Sequence, residues 1–194
     1  MFSFMGRLTY GLAVLSVGLI LGFFVGVIWE TSERARWESA LPADQHGKEG
    51  LVQYCLSPDG DCVKVILFWI ARANASIHIL IFDFSLDSIR DALIKAKNRG
   101  IDVRIVMEQD TISNTGSEYR NLKQAGIDVR LDANSALMHD KTAVIDNHII
   151  ITGSYNWTAS ANNRNNDNLV VIDSQAWAEA YEAEFQRIYK RAHA

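Results

Sequence analysis

Basic residues are not in excess in this chain: 19 lysines and arginines stand against 23 aspartates and glutamates, for a formal net charge of −4. A chain that binds nucleic acid non-specifically carries the opposite balance, so an anionic substrate would have to be held by a few well-placed donors. Cysteine is nearly absent. Cys55 and Cys62 alone fall short of the roughly four ligands of a structural zinc site, and no metal or other cofactor is expected. Between them lies Leu56-Ser57-Pro58-Asp59-Gly60-Asp61, rich in turn formers, with Pro58 suited to a turn's second position and Gly60 able to take positive φ. Such a turn can bring the sulfurs together or leave two ordinary thiols, and both readings stand. Charged residues at 22% and apolar residues at 48% exclude wholesale disorder.

Charge is wholly missing from Leu8 to Trp29, which reads LTYGLAVLSVGLILGFFVGVIW. As a helix this run of about 22 residues spans ~33 Å, enough to cross a bilayer core. The alternative is a cleaved signal, but its apolar region is usually about 7–15 residues long and closes on small residues. Here the run ends in Val27-Ile28-Trp29 and then Glu30, and Trp29 suits the membrane interface. Gly18, Gly22 and Gly26 share one helix face, the small-xxx-small pattern that lets two membrane helices approach. Residues 1–30 are therefore read as a single-pass membrane anchor, 31–50 as a polar tether and 51–194 as the catalytic domain. Arg7 on one side and Arg34 and Arg36 on the other, the latter among Glu30, Glu33 and Glu38, leave orientation nearly balanced. A Cys55–Cys62 bond would favour a periplasmic or extracellular domain.

From Leu51 onward, strand and helix signals alternate. The spacing predicts strands over 51–56, 76–84, 101–107, 127–131, 139–145, 148–152 and 169–173. Helices are predicted over 62–73, 87–99, 117–125 and 174–194, the last with Trp177, Tyr181, Phe185 and Ile188 along one face. Residues 162–168 read as a polar, Asn-rich loop. Gly100-Ile101-Asp102-Val103-Arg104 returns as Gly126-Ile127-Asp128-Val129-Arg130, each a helix stop followed by a strand start. The fold class is α/β, a mixed sheet with helices on both faces.

The chemistry gathers late in the chain. His139-Asp140-Lys141 opens a His-x-Lys-x4-Asp string ending at Asp146, and Gly153-Ser154-Tyr155-Asn156-Trp157 follows. Side chains two apart on a strand share a face, so His139 projects with Lys141, and Ser154 with Asn156. A nucleophile would then meet a compact cation and two neutral donors, the combination that stabilises a transferring phosphoryl group. Asp146 has the opposite parity to His139 and reads as a structural or ion-pairing member of the motif. His46, His78, His148 and His193 have no such company.

This ordered string, with the lead-in Cys55-Leu56-Ser57-Pro58, resembles the phospholipase D superfamily, and within it the small single-motif members. These include the bacterial endonuclease of this fold and the mitochondrial cardiolipin hydrolase/Zucchini-type nucleases. The resemblance implies a metal-independent phosphodiesterase. His139 would attack phosphorus to form a phosphohistidine, and the equivalent His139 of the partner subunit would protonate the leaving oxygen and then activate water. One motif per chain implies a homodimer. Two neighbouring histidines imply a bell-shaped pH–rate profile near mildly acidic to neutral pH. A downstream carboxylate orients the histidine in similar enzymes. The matching position is Asp167, where the family usually has glutamate, so its reach is roughly 1.5 Å less. The resemblance thus implies His139, Lys141, Asp146 and Asp167 as catalytic, and Lys141, Ser154 and Asn156 as phosphate-binding. Three substrate readings remain. One is a phospholipid near the anchor. Another is single-stranded nucleic acid, gripped by Tyr155, Trp157 and Arg164. The third is a catalytically degenerate, membrane-tethered phosphate-binding module.

Overall fold

The computed structural model describes residues 50–193. The anchor expected over Leu8 to Trp29, and nearly all of the tether, lie outside the described residues. Among the described residues no helix is long and apolar enough to cross a membrane.

Seven strands run in chain order as β1 (Gly50–Leu56), β2 (Ser76–Ile81), β3 (Asp102–Met107), β4 (Asp128–Leu131), β5 (Lys141–Ile145), β6 (Ile149–Gly153) and β7 (Asn168–Asp173). The helices are α1 (Cys62–Arg72), α2 (Asp87–Asn98), α3 (Tyr119–Gln124), α4 (Ala159–Asn163) and α5 (Gln175–Arg191), with a 3-10 turn at Gln109–Thr111. The strands form one mixed sheet in the order β1-β7-β6-β5-β2-β3-β4. β2, β3 and β4 are parallel, and the remaining neighbours are antiparallel.

The run SIHILI becomes a central strand because both its faces are apolar enough to be covered. Ile77, Ile79 and Ile81 are fully buried in the core shared with α1, α2 and α3, which holds Ile66 and Ile70, Ile89 and Leu93, and Leu122. Burying each such isoleucine contributes about 1.5–3 kcal/mol. Leu80 faces the other way, into a smaller cluster with Val106, Met138, Phe185 and Ile188 beneath α5. Helices therefore lie on both faces. Gly100 and Gly126, at φ +92 and +74, end α2 and α3 in the left-handed conformation that the repeated Gly-Ile-Asp-Val-Arg predicts.

Two local expectations change and one open reading is decided. The buried stripe of α5 runs through Ala178, Phe185, Ile188 and Tyr189, while Trp177 is 62% exposed. Trp177 stands one residue, about 100°, off that stripe. The Asn-rich loop begins as α4, because the Thr158 side chain accepts from Ala161 N–H at 3.2 Å and caps it. Cys55 and Cys62 are joined in a disulfide, Cα–Cα 5.5 Å, which ties the end of β1 to the first residue of α1. In the turn between them Gly60 is required by space, not by φ: a Cβ there would collide with the Leu56 carbonyl oxygen and stand 2.7 Å from the Cys55 sulfur.

Candidate active site

Antiparallel pairing sets the place of the site. Ile81 at the end of β2 pairs with Lys141 at the start of β5, and Gly153 at the end of β6 pairs with Leu169 near the start of β7. The C-terminal ends of β2 and β6 and the N-terminal ends of β5 and β7 thus lie along one edge. His139, Lys141, Ser154, Asn156 and Asp167 all belong to that edge.

His139 does not sit on the strand, as its spacing predicts. β5 begins at Lys141, and His139 lies exposed in the irregular segment before it. The pair is held in another way. Lys141, 7% exposed, donates from Nζ to the His139 carbonyl at 2.6 Å. Phe82 stands behind both, its ring 4.5 Å from the imidazole, edge to face, and 4.8 Å from the ammonium. Burial pushes the Lys141 ammonium below the ordinary lysine range, against the opposing pull of the Asp140, Asp167 and Asp83 carboxylates. An ammonium carries three donors, so two remain for a phosphate.

Gly153 admits the second half of the motif. At φ +143 it brings the backbone against the Asn168 carbonyl, which a Cβ would strike. Ser154 then donates from Oγ to Asp167 Oδ1 at 2.7 Å and accepts from Asn168 N–H at 3.1 Å. Asp167 is thus engaged by Ser154, and among the described residues it makes no hydrogen bond to His139. Ser57, from the lead-in after β1, locks this segment: its N–H donates to the Asp167 carbonyl at 3.0 Å and its Oγ accepts from Asp167 N–H at 3.2 Å. Asn156 Oδ1 is buried and accepts no hydrogen bond from the described residues. Orphaned polar atoms of this kind are rare and concentrate where function is performed.

Asp146 lies at the far end of β5, in the turn to β6. Its carboxylate accepts from the N–H groups of Asn74, Ala75 and Ser76 at 2.9, 2.8 and 3.0 Å. The structure therefore separates it from His139 and Lys141 and gives it a holding contact on the start of β2. Tyr155 and Trp157, expected as a stacking platform, are each 1% exposed. Trp157 packs edge-on against Phe84, and Tyr155 donates to Asn162 Oδ1 at 2.9 Å. Neither is open to a base. Arg164 remains exposed. His78 is buried, its Nδ1 2.8 Å from Glu182, and His148 meets Asp173 at 2.6 Å, both away from the edge.

Sequence reasoning missed Phe82 and Asp83, and it quoted Ser57 in the lead-in without giving it a contact. Asp83 interrupts an apolar run as Phe82-Asp83-Phe84, and a lone carboxylate there was the available signal. Its carbonyl accepts from Trp157 N–H at 3.1 Å, which seats it beside Asn156. Burial raises the Asp83 pKa, opposed by a long hydrogen bond from Asn114 and the Lys141 charge. Beside His139 opens a cavity of about 470 Å³, lined in part by Asp140, Glu184, Arg187 and Arg191. Burial and then the Glu184 charge raise the pKa of Asp140. Among the described residues no group of three or more His, Cys, Asp or Glu is arranged to hold a metal ion.

A family model described as "Cardiolipin synthase, PLD-like domain" matches residues 66–189, most of the chain. The chain belongs to the phospholipase D superfamily. It is a phosphodiesterase of that superfamily, similar to its small members. It is 32% identical to a phospholipase D of Rickettsia conorii over 86% of this chain and 90% of that one. It is 35% identical to the mitochondrial cardiolipin hydrolase of Xenopus tropicalis over 64% of this chain, spanning 60% of that protein's length. The fold matches the phospholipase D family member Nuc from Salmonella typhimurium with a TM-score of 0.70 and 32% identity, covering 73% of this chain and 95% of that one.

Proposed function

We propose that this superfamily member hydrolyses phosphodiesters without a metal, through a phosphohistidine on His139, as a homodimer held to a membrane by residues 1–30 through the tether 31–50. The observation that carries the reading is the pairing of an exposed His139 with the buried Lys141 ammonium, which holds the His139 carbonyl and keeps donors for phosphate. The histidine attacks phosphorus and the ester oxygen leaves, taking a proton from the equivalent His139 of the partner subunit. That second imidazole then takes a proton from water as the water's oxygen displaces His139 from phosphorus. Lys141 and Asn156 carry the charge developing on the phosphoryl oxygens. Ser154 and Asp167 hold the Asn156 segment to β7, and Asp146 holds the far end of the hairpin. The Cys55–Cys62 bond supports a domain on the oxidising side of the membrane.

A phospholipid is the favoured substrate. The burial of Tyr155 and Trp157 removes the aromatic platform a single strand would use, and the net charge of −4 offers it no general attraction. Nucleic acid stands second, supported by Arg187 and Arg191 on the groove beside His139. The test incubates the full chain in detergent, with excess EDTA, with mixed vesicles of phosphatidylglycerol and cardiolipin and separately with a labelled single-stranded oligonucleotide. His139→Ala is the control in both. Headgroup release or phosphatidic acid, lost in the variant, is expected. Cleavage of the oligonucleotide alone would move the assignment to a tethered nuclease. No turnover of either by an intact dimer would reject hydrolysis of both classes and leave the binding-module reading.

A further inference from the structure

Glu108 follows β3 directly and is 5% exposed. Among the described residues no basic side chain pairs with it. Its two oxygens are instead spent on backbone: Oε1 accepts from Asp110 N–H at 3.1 Å, and Oε2 accepts from Met138 N–H at 2.7 Å. The first contact has an ordinary reading, because Glu108 is the cap of the 3-10 turn Gln109–Thr111. A cap needs one oxygen and a short side chain, and serine or aspartate does it better. Capping does not account for the second oxygen or for the reach across to Met138.

Met138 immediately precedes His139. Its side chain is buried with Leu80, Val106 and Phe185, and its N–H is held by Glu108. His139 itself is held at its carbonyl by Lys141. The residues before Met138, 133–137, are exposed and irregular. The buried Met138 side chain and the Glu108 contact on its N–H together set how the chain leaves this exposed segment and enters His139. An apolar residue in the same space would leave the Met138 N–H without this acceptor.

We propose that Glu108 is a positioning residue for His139, acting through Met138. Its Oε2 fixes the backbone entering the nucleophile as Lys141 fixes the backbone leaving it. The proposal rests on the phosphodiesterase reading for its kinetic consequence and on geometry alone for its structural one. Misplacing a reacting group by about 1 Å can cost on the order of 100-fold.

The test uses Glu108→Asp, Glu108→Gln and Glu108→Ala in the full chain in detergent, with wild type and His139→Ala alongside. Aspartate keeps the cap and loses the reach, while glutamine keeps the reach and loses the charge. Hydrolysis of bis(p-nitrophenyl) phosphate reads kcat and KM, and amide hydrogen exchange reads the Met138 N–H. Glu108→Asp is expected to lower kcat roughly 10- to 100-fold with KM within about twofold. It should also speed exchange at Met138 by about tenfold or more while Asp110 stays protected. Glu108→Gln is expected to return kcat to within about fivefold of wild type, because its amide oxygen can accept the same N–H. Wild-type kcat in folded Glu108→Asp or Glu108→Ala overturns the proposal, as does Glu108→Gln falling as far as Glu108→Asp. If wild type does not cleave the probe while His139→Ala is folded, the activity reading fails by itself. The exchange arm still decides the clamp: unchanged Met138 protection in Glu108→Asp rejects it.

Discussion

Asp83 contributes a carboxylate to the side of Lys141 that the motif does not mention. Its folded pKa lies above its unfolded value because burial disfavours the ionised form more than Asn114 and Lys141 restore it. The folded state therefore binds this proton more readily than the unfolded chain. The group's contribution is most favourable below the ordinary value of 3.8 and is lost as pH rises through the raised folded pKa. Asp83→Asn removes the ionised group, so at neutral pH the variant is expected to melt at or above the wild-type temperature. The gap should close as pH falls toward about 4. Thermal unfolding across that range checks it, and a gap that widens on acidification contradicts the sign. At the residue scale the ordered string singled out His139, Lys141, Ser154 and Asn156, which the structure sets along one end of the sheet's central strands. Asp83 escaped it because one acid among phenylalanines carries no spacing. Tyr155 and Trp157 were misjudged because an aromatic ring beside polar motif residues serves a core as readily as a ligand.

The β5–β6 hairpin is the element on which the site depends, and its turn is built from residues in the left-handed region. Asp146 and Asn147 have φ of +54 and +52, and His148 N–H donates to the Ile145 carbonyl at 3.1 Å. Aspartate and asparagine tolerate this conformation better than other residues with a Cβ, and primed turns match the twist of the strands they join. Asp146→Ala loses three backbone bonds and strains the turn, for an expected cost of about 2–4 kcal/mol. Asp146→Asn keeps one acceptor and the conformation, for about 1 kcal/mol. If Asp146 holds structure alone, folded Asp146→Asn keeps kcat within about threefold. Urea midpoints and initial rates on the same samples separate the two roles, and a 100-fold loss of rate at unchanged stability would return Asp146 to the chemistry. Parity in the sequence suggested a structural Asp146, but its place in the turn beyond β5, not parity, sets it apart from His139. The three N–H groups it holds, some seventy residues earlier in the chain, were invisible. Helices with long apolar periodicity were legible. Five-residue α4 was not, since one turn carries no period and its cap, Thr158, resembles any loop threonine.

At the scale of the whole molecule, the proposed two-histidine mechanism requires two chains per site. A dimer combining wild type with His139→Ala would lack either the nucleophile or its acid–base partner. Equal co-expression of the two forms is therefore expected to leave about a quarter of the activity, against about half if each subunit works alone. Titrating the ratio and fitting a square against a straight line decides between them. Alternating strand and helix signals revealed the fold class, and the Gly-Ile-Asp-Val-Arg repeat marked two places where a helix stops and a strand starts. Strand order was not legible, because which strands meet depends on packing between segments far apart in the chain.

One such pairing has a consequence in time. The outermost strand at one edge, β1, is the first described strand to be made, and it is completed only by β7, the last of the described strands. A ribosome adding about 5–20 residues per second delivers β7 roughly 6–24 s after β1, so Leu51, Tyr54 and their neighbours must wait that long for backbone partners. For that interval the edge of the unfinished sheet is open to any other extended chain. Among the described elements only α5 follows β7 in the chain, so the strand that completes the sheet lies close before the helix that covers it.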